Sequence, residues 1–405
     1  MRFVIGLVLG ALVVAAETPV AASQDQARQA VDWLVRSQLP SGLFTYGFDF
    51  LAGVPLQQDN IVRQVGIVYF LAEFYGHSGD ESVRPAIQTG LSGAGMRSVP
   101  IGKGALQSVI EHTGVLSLPA GRFKLRATLD RLGLLGRTDG DGKVVTADKT
   151  YATAFTGTTA LALLAELQYS RASRDDRFAQ LRSAWLKGLL SLYVPRRGFR
   201  LSPTSIDESD YFNGEGWFAL AYYQLLFPQN QAIKSILPAL DGYLMARYGE
   251  QASQAFYHWG TMAAATRFAT TSDASFLNFI KRQAELVLNA RWWKSVAPYN
   301  TCAVMEGLVT AVGVLESADA GSETLTQRLR ERIRDEMEKN RRLQISPRAE
   351  RLQLGSDTYL TSPKLKEYAG AFLEGPFLPY ARIDYTGHCL STMVKLERYR
   401  LSQAK

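Results

Sequence analysis

Gly214-Glu215-Gly216-Trp217-Phe218-Ala219-Leu220-Ala221-Tyr222-Tyr223 is apolar or aromatic on nearly every side when wound as a helix. Such a helix has no face for water and belongs inside a protein. The segment 274–291 behaves differently. Lys281, Arg282 and Glu285 are placed for solvent there, and apolar residues fill the other side, so it belongs on the outside. Pairs of this kind recur along the chain at intervals of roughly 40 to 60 residues, which suits stacked helical hairpins. Apolar spacings of three and four predict helices over 26–39, 61–75, 81–91, 158–169, 175–192, 214–226, 232–248, 254–270, 274–291, 301–318, 323–340, 364–372 and 386–401. Alternating inner and outer helices predict an all-α fold, an (α/α) toroid of helical hairpins. An open solenoid would carry shorter, more uniform repeats with polar caps. Strand signals are thin. Alternation over 121–127, with a partner at 114–118 and an edge at Lys143-Val144-Val145, predicts a small β-hairpin excursion. Long irregular stretches at 40–58, 96–104, 136–155, 194–213 and 341–363 predict loops gathered over one end of the ring, where clefts form.

The 405 residues are 46% hydrophobic and 20% charged, with two cysteines and a formal net charge of +7. That composition excludes a disordered polymer and a scaffold dependent on disulfides. Met1-Arg2 precedes an apolar run over 3–16, and Val20-Ala21-Ala22 offers small side chains for a signal peptidase. The run is shorter than the about 20 residues of a membrane span. A secretory leader over 1–22 is therefore expected, followed by one domain over 23–405, in the periplasm or secreted. Cys302 and Cys389 would then meet an oxidising compartment. A disulfide between two helix ends and two separate buried thiols both fit.

Three groups of residues can carry chemistry. Asp207-Glu208-Ser209-Asp210-Tyr211-Phe212-Asn213-Gly214-Glu215-Gly216-Trp217 offers Glu208, Asp210 and Glu215 beside Tyr211 and Trp217. Carboxylates move protons and aromatic faces stack on sugar rings. The same cluster would serve equally to cap and hold its loop. The second group is Ala381-Arg382-Ile383-Asp384-Tyr385-Thr386-Gly387-His388-Cys389. His388 suits acid or base work near neutral pH, and Tyr385, three residues before it, shares its helical face if the helix begins early. Arg382 and Asp384 either clamp a substrate or form an internal pair closing the last hairpin on the first. The third group is dispersed: Asp59, Asn60 and Arg63, then His258 and Trp259, then Glu306. These polar residues recur near the starts of predicted inner helices, so a toroid would bring them together at one end.

Other signals carry less. Thr138-Asp139-Gly140-Asp141-Gly142-Lys143 opens like a calcium loop, but Lys143 stands where a ligand is wanted and no glutamate closes the loop at its twelfth position. There is no Walker loop, dinucleotide fingerprint, His-Glu-x-x-His or nucleophile elbow. No cofactor and no metal is expected. Arg341, Arg342, Arg348 and Arg351 favour an anionic polymer or surface, whereas export and the lack of a reading module disfavour nucleic acid.

The helix starts 211–220, Tyr257-His258-Trp259-Gly260-Thr261-Met262 and 381–388 resemble those of bacterial (α/α)-toroid proteins. The chain resembles the C-terminal domains related to D-glucuronyl C5-epimerases, six-hairpin glycosidases and polysaccharide lyases. That resemblance implies a polysaccharide or oligosaccharide partner, acidic or neutral, and hydrolase or uronate epimerase and lyase chemistry. It implies tyrosine, histidine or glutamate as acid or base, roles open to Tyr211, Tyr385 and His388, with Arg382 holding a uronate carboxylate. A non-catalytic glycan- or protein-binding assembly factor is the other reading, since fold does not settle function.

Overall fold

The computed structural model describes residues 19–101, 141–205, 207–348 and 350–401. Among them are twelve long helices: α1 (Pro19–Arg36), α2 (Ile61–Ser78), α3 (Arg84–Met96), α4 (Thr156–Ser173), α5 (Ala179–Leu192), α6 (Asp210–Leu226), α7 (Gln231–Tyr248), α8 (Gln254–Thr271), α9 (Ala274–Leu288), α10 (Cys302–Ser317), α11 (Glu323–Arg342) and α12 (Ile383–Arg398). The even-numbered helices form a closed ring. Each packs on the next, and α12 packs back on α2. Outside them, α3, α5, α7, α9 and α11 each cover the inner helix that precedes them, and α1 covers α12. This is an (α/α) toroid.

The sequence dictates which helix goes where. In α4 every residue from Thr156 to Tyr169 is buried. Outer helix α11 buries only Leu325, Leu329, Ile333, Glu336, Met337 and Asn340, one stripe of a strongly charged helix. Burial of a leucine such as Leu329 contributes about 1.5–3 kcal/mol. Asn60 caps α2 by accepting from the Val62 and Arg63 amides, and Gly79, at φ +68°, ends it. The glycines of the opening motif set the spacing between inner helices. A Cβ on Gly214 would lie 2.6 Å from the Trp259 Cβ of α8, so α6 and α8 approach as closely as they do because residue 214 has no side chain.

Connections from inner to outer helices are short, at 79–83, 174–178, 227–230, 272–273 and 318–322. Those from outer to inner helices are long, apart from 249–253. The long loops therefore lie at the end where the inner helices begin, as the loop positions predict. One of them builds a three-stranded antiparallel sheet, with Gly47–Asp49 between Val54–Pro55 and Tyr380–Arg382. It ties the first long loop to the start of α12. The predicted hairpin at 114–118 and 121–127 lies outside the described residues. Its expected edge, Lys143–Val145, pairs antiparallel with Ser98–Pro100.

Two expectations need correction. The predicted helix over 364–372 is only a 3-10 turn, Pro363–Lys366. Beyond it the backbone turns to Leu343 and Ile345: Gly370 N–H donates to Ile345 O, and Ile345 N–H donates to Ala371 O. Gly370, at φ +97°, sits against the Gln29 carbonyl, where a Cβ has no room. Helices α6 and α12 begin at Asp210 and Ile383, three to four residues before 214 and 386, because the preceding strand-like segments end there. Of the two readings for the cysteines, the disulfide holds: Cys302 and Cys389 are bonded, with Cα atoms 4.8 Å apart. It joins α10 to α12. No described helix is long and apolar enough to cross a membrane.

Candidate active site

Because the inner helices run side by side in one direction, residues at equal distance from their starts share a layer. A helix rises 1.5 Å per residue, so four residues span about 6 Å of depth. The first turns bring Arg63 (α2), Tyr211 (α6), Asp384 and Tyr385 (α12) to the mouth. One turn deeper stand Glu215 (α6), His258 (α8), Glu306 (α10) and His388 (α12). Below them Tyr69, Phe70, Phe218 and Trp259 form an aromatic floor, with the Tyr69 ring 5.8 Å from Trp259 and Phe70 4.9 Å from His388. Under the floor Lys395 pairs with Glu73 at 2.8 Å, both buried.

At the mouth Arg382 grips Asp384 through two nitrogens, Nε to Oδ1 at 2.5 Å and Nη2 to Oδ2 at 2.9 Å. Arg63 Nε reaches Asp384 Oδ2 at 3.1 Å and donates through Nη1 to the Tyr46 hydroxyl at 2.5 Å. Burial opposes charge on Asp384. The Arg382 guanidinium, its hydrogen bonds and Arg63 outweigh that, so the carboxyl titrates below the usual range and stays an anion. Arg382 also faces Glu374 at 3.8 Å and lies 4.2 Å above the Tyr385 ring. Its charge is thus shared among Asp384, Glu374 and the Tyr385 ring.

Glu215 stands in the opposite condition. It is 4% exposed, its Oε2 has no hydrogen-bond partner, and burial alone raises its pKa well above that of a free carboxyl. Burial thus favours its protonated form. Its Oε2 packs where a Cβ on Gly157 of α4 would sit, so that glycine leaves the space for it. One helical turn above, Tyr211 is 47% exposed, yet its phenol is raised by desolvation and by Glu215. The Tyr211 ring lies 6.4 Å from His258.

His258 is 2% exposed and neither ring nitrogen has a partner. Burial, then His388 and Lys395, hold it well below the ordinary histidine value, so it is neutral. Glu306 is fully buried. Its Oε2 is 3.1 Å from His388 Nδ1, and its Oε1 has no partner.

Of the residues singled out from the sequence, Arg63, Tyr211, Glu215, His258, Trp259, Glu306, Arg382, Asp384, Tyr385 and His388 converge on this axis. Others do not. Glu208 is taken up by the Asn213 amide and the Tyr243 hydroxyl, each at 3.1 Å, with Arg197 and Arg247 nearby. Asp210 accepts from Tyr248 and Ser253 at 2.7 and 2.8 Å. Both fasten α6 to its neighbours. Trp217 is buried, stacked on Phe256, with its indole N–H donated to Asp241 at 2.7 Å, which leaves no face for a sugar. Asp59 accepts from Gln64 at 2.9 Å, and Asn60 is the α2 cap. The sequence reading passed over Tyr69, Tyr46 and Glu374. Tyr69 is buried with an unpartnered hydroxyl.

No family model matches the chain, and no curated protein matches it. Solved structures do resemble it. The alpha-1,6-mannanase GH76A of Salegentibacter sp. HEL1_6, as an inactive variant in complex with alpha-1,6-mannotetrose, is 10% identical, with 94% of this chain and 99% of that chain covered and a TM-score of 0.60. The same mannanase without those changes gives 10% identity, 93% and 99% coverage and 0.59. A further inactive variant with alpha-1,6-mannotriose gives 11%, 94%, 99% and 0.58. At this identity the likeness shows the shared toroid.

Proposed function

We propose that this chain is an exported glycoside hydrolase acting on an envelope or secreted polysaccharide. The observation that carries the reading is the opposed state of two carboxyls in adjacent layers of one cleft. Burial favours the protonated form of Glu215, and the Arg382 and Arg63 guanidiniums favour the anion of Asp384. Environments that push two carboxyls apart in this way assign acid and base roles. In the proposed reaction Glu215 gives its proton to the glycosidic oxygen as the C–O bond breaks. The Asp384 carboxylate faces the positive charge that develops on the sugar ring, and water supplies the new hydroxyl. Tyr211 offers an exposed aromatic face at the mouth. The toroid shared with mannanases supports a saccharide as substrate.

Uronate epimerase or lyase chemistry is the second reading; for Arg382 to clamp a substrate carboxylate its pair with Asp384 would have to open, as it would for Asp384 to meet the sugar. The test is incubation with neutral polysaccharides, mannans among them, and acidic ones, in water enriched in oxygen-18 or in deuterium. Fragments with oxygen-18 at the new reducing end are expected. Unsaturated fragments would mean a lyase, and deuterium gain without cleavage an epimerase. Binding without any change across the panel would leave the role of a binding protein.

A further inference from the structure

His258, Glu306 and His388 come from three successive inner helices, α8, α10 and α12, and reach the same depth. Their candidate donor atoms all lie within 4.8 Å of one another. We propose that these three side chains form a binding site for one divalent transition metal ion of the zinc class.

The polar inventory of the layer is incomplete without such an ion. His258 offers two nitrogens and neither has a partner, although the residue is buried. Glu306 is buried with Oε1 unpartnered. Buried polar atoms ordinarily find partners, and orphans in one spot point to a missing ion or water. One ring nitrogen of His258, one carboxylate oxygen of Glu306 and one ring nitrogen of His388 reach the same small volume. The donor set is two imidazoles and one carboxylate, which suits zinc and leaves a position open. A tetrahedral shell with bonds of about 2.0–2.1 Å sets its donors roughly 3.4 Å apart. His388 Nδ1 and Glu306 Oε2 already stand 3.1 Å apart. The His388 side chain keeps 19% exposure, so an ion can enter from the mouth. Cys302 and Cys389, the nearest soft ligands in sequence, are tied in a disulfide and do not compete.

This inference does not rest on the hydrolase reading, because metal binding is measured without a saccharide. The full chain, carrying no histidine tag, would be stripped with chelator, given zinc, and desalted. One equivalent of zinc retained per chain is expected, with a rise in Tm. Cobalt in its place should give a visible d–d absorption. His258→Ala and His388→Ala should each weaken retention at least tenfold. Since either variant can disturb the core, a second readout uses the unaltered chain: zinc should protect His388 from diethyl pyrocarbonate. Absence of retained metal at micromolar free zinc would overturn the proposal. So would undiminished retention in both folded variants, or zinc that leaves the modification rate of His388 unchanged.

Discussion

Replacing one atom of Glu215 separates its two roles. Glu215→Gln keeps the size of the side chain and removes the transferable proton. If Glu215 is the acid, hydrolysis should fall about 10²–10⁴-fold, equivalent to about 3–5 kcal/mol of transition-state stabilisation. Stability should move the other way. The folded pKa of Glu215 lies above the free value of 4.5, because burial disfavours the anion. Folding therefore favours the protonated form. Its contribution is fully present below the free value and is lost as pH rises towards the folded one. Over that window the wild type should lose about 1.4 kcal/mol per pH unit relative to the amide variant. Urea unfolding of both proteins from pH 5 to pH 8, with rates on the cleaved polysaccharide, would show both effects. Parallel stability curves would mean the carboxyl is not held protonated. Normal turnover in the variant would remove Glu215 from the reaction.

Gly157→Ala should displace the Glu215 carboxyl, because the new methyl group claims the space of Oε2; kcat is expected to fall while helix content by circular dichroism holds. Reducing the Cys302–Cys389 disulfide opens a sequence separation of 87 residues, and chain-entropy arguments put its contribution at about 4–5 kcal/mol. Guanidinium unfolding with and without reductant checks that value. Lys395→Met should cost about 3–5 kcal/mol, by leaving the Glu73 carboxylate buried without its ammonium partner. Adding Glu73→Gln should restore most of it, as a double-mutant cycle would show.

The toroid was legible because burial in a ring of hairpins leaves a strong trace. Helices such as 214–226 lack a polar face, and helices such as 274–291 have one. Loop length carried the rest, since the long connections all lead into inner helices. What sequence could not show is which polar residue on an inner helix turns inwards. Glu208, Asp210 and Glu215 sit within eight residues, yet only Glu215 points to the axis; the first two are drawn aside by Asn213, Tyr243, Tyr248 and Ser253. The predicted helix at 364–372 failed for a similar reason. Its backbone partners, Leu343 and Ile345, lie far away in sequence. The His258, Glu306 and His388 layer escaped motif reading because three separate hairpins supply it.

The closure of the ring by α12 bears on how the molecule must assemble. Helix α1 has its main packing partner not in α2 but in α12, and α2 is flanked by α12 on one side. Glu73 in α2 finds its ammonium in Lys395. Helix α1 therefore has no inner helix to cover until α12 is in place. An incomplete ring exposes the apolar flanks of α2 and α10 together. A chain cut short before residue 383 would lose far more than one hairpin, since the gap leaves both flanking helices open to association with other chains.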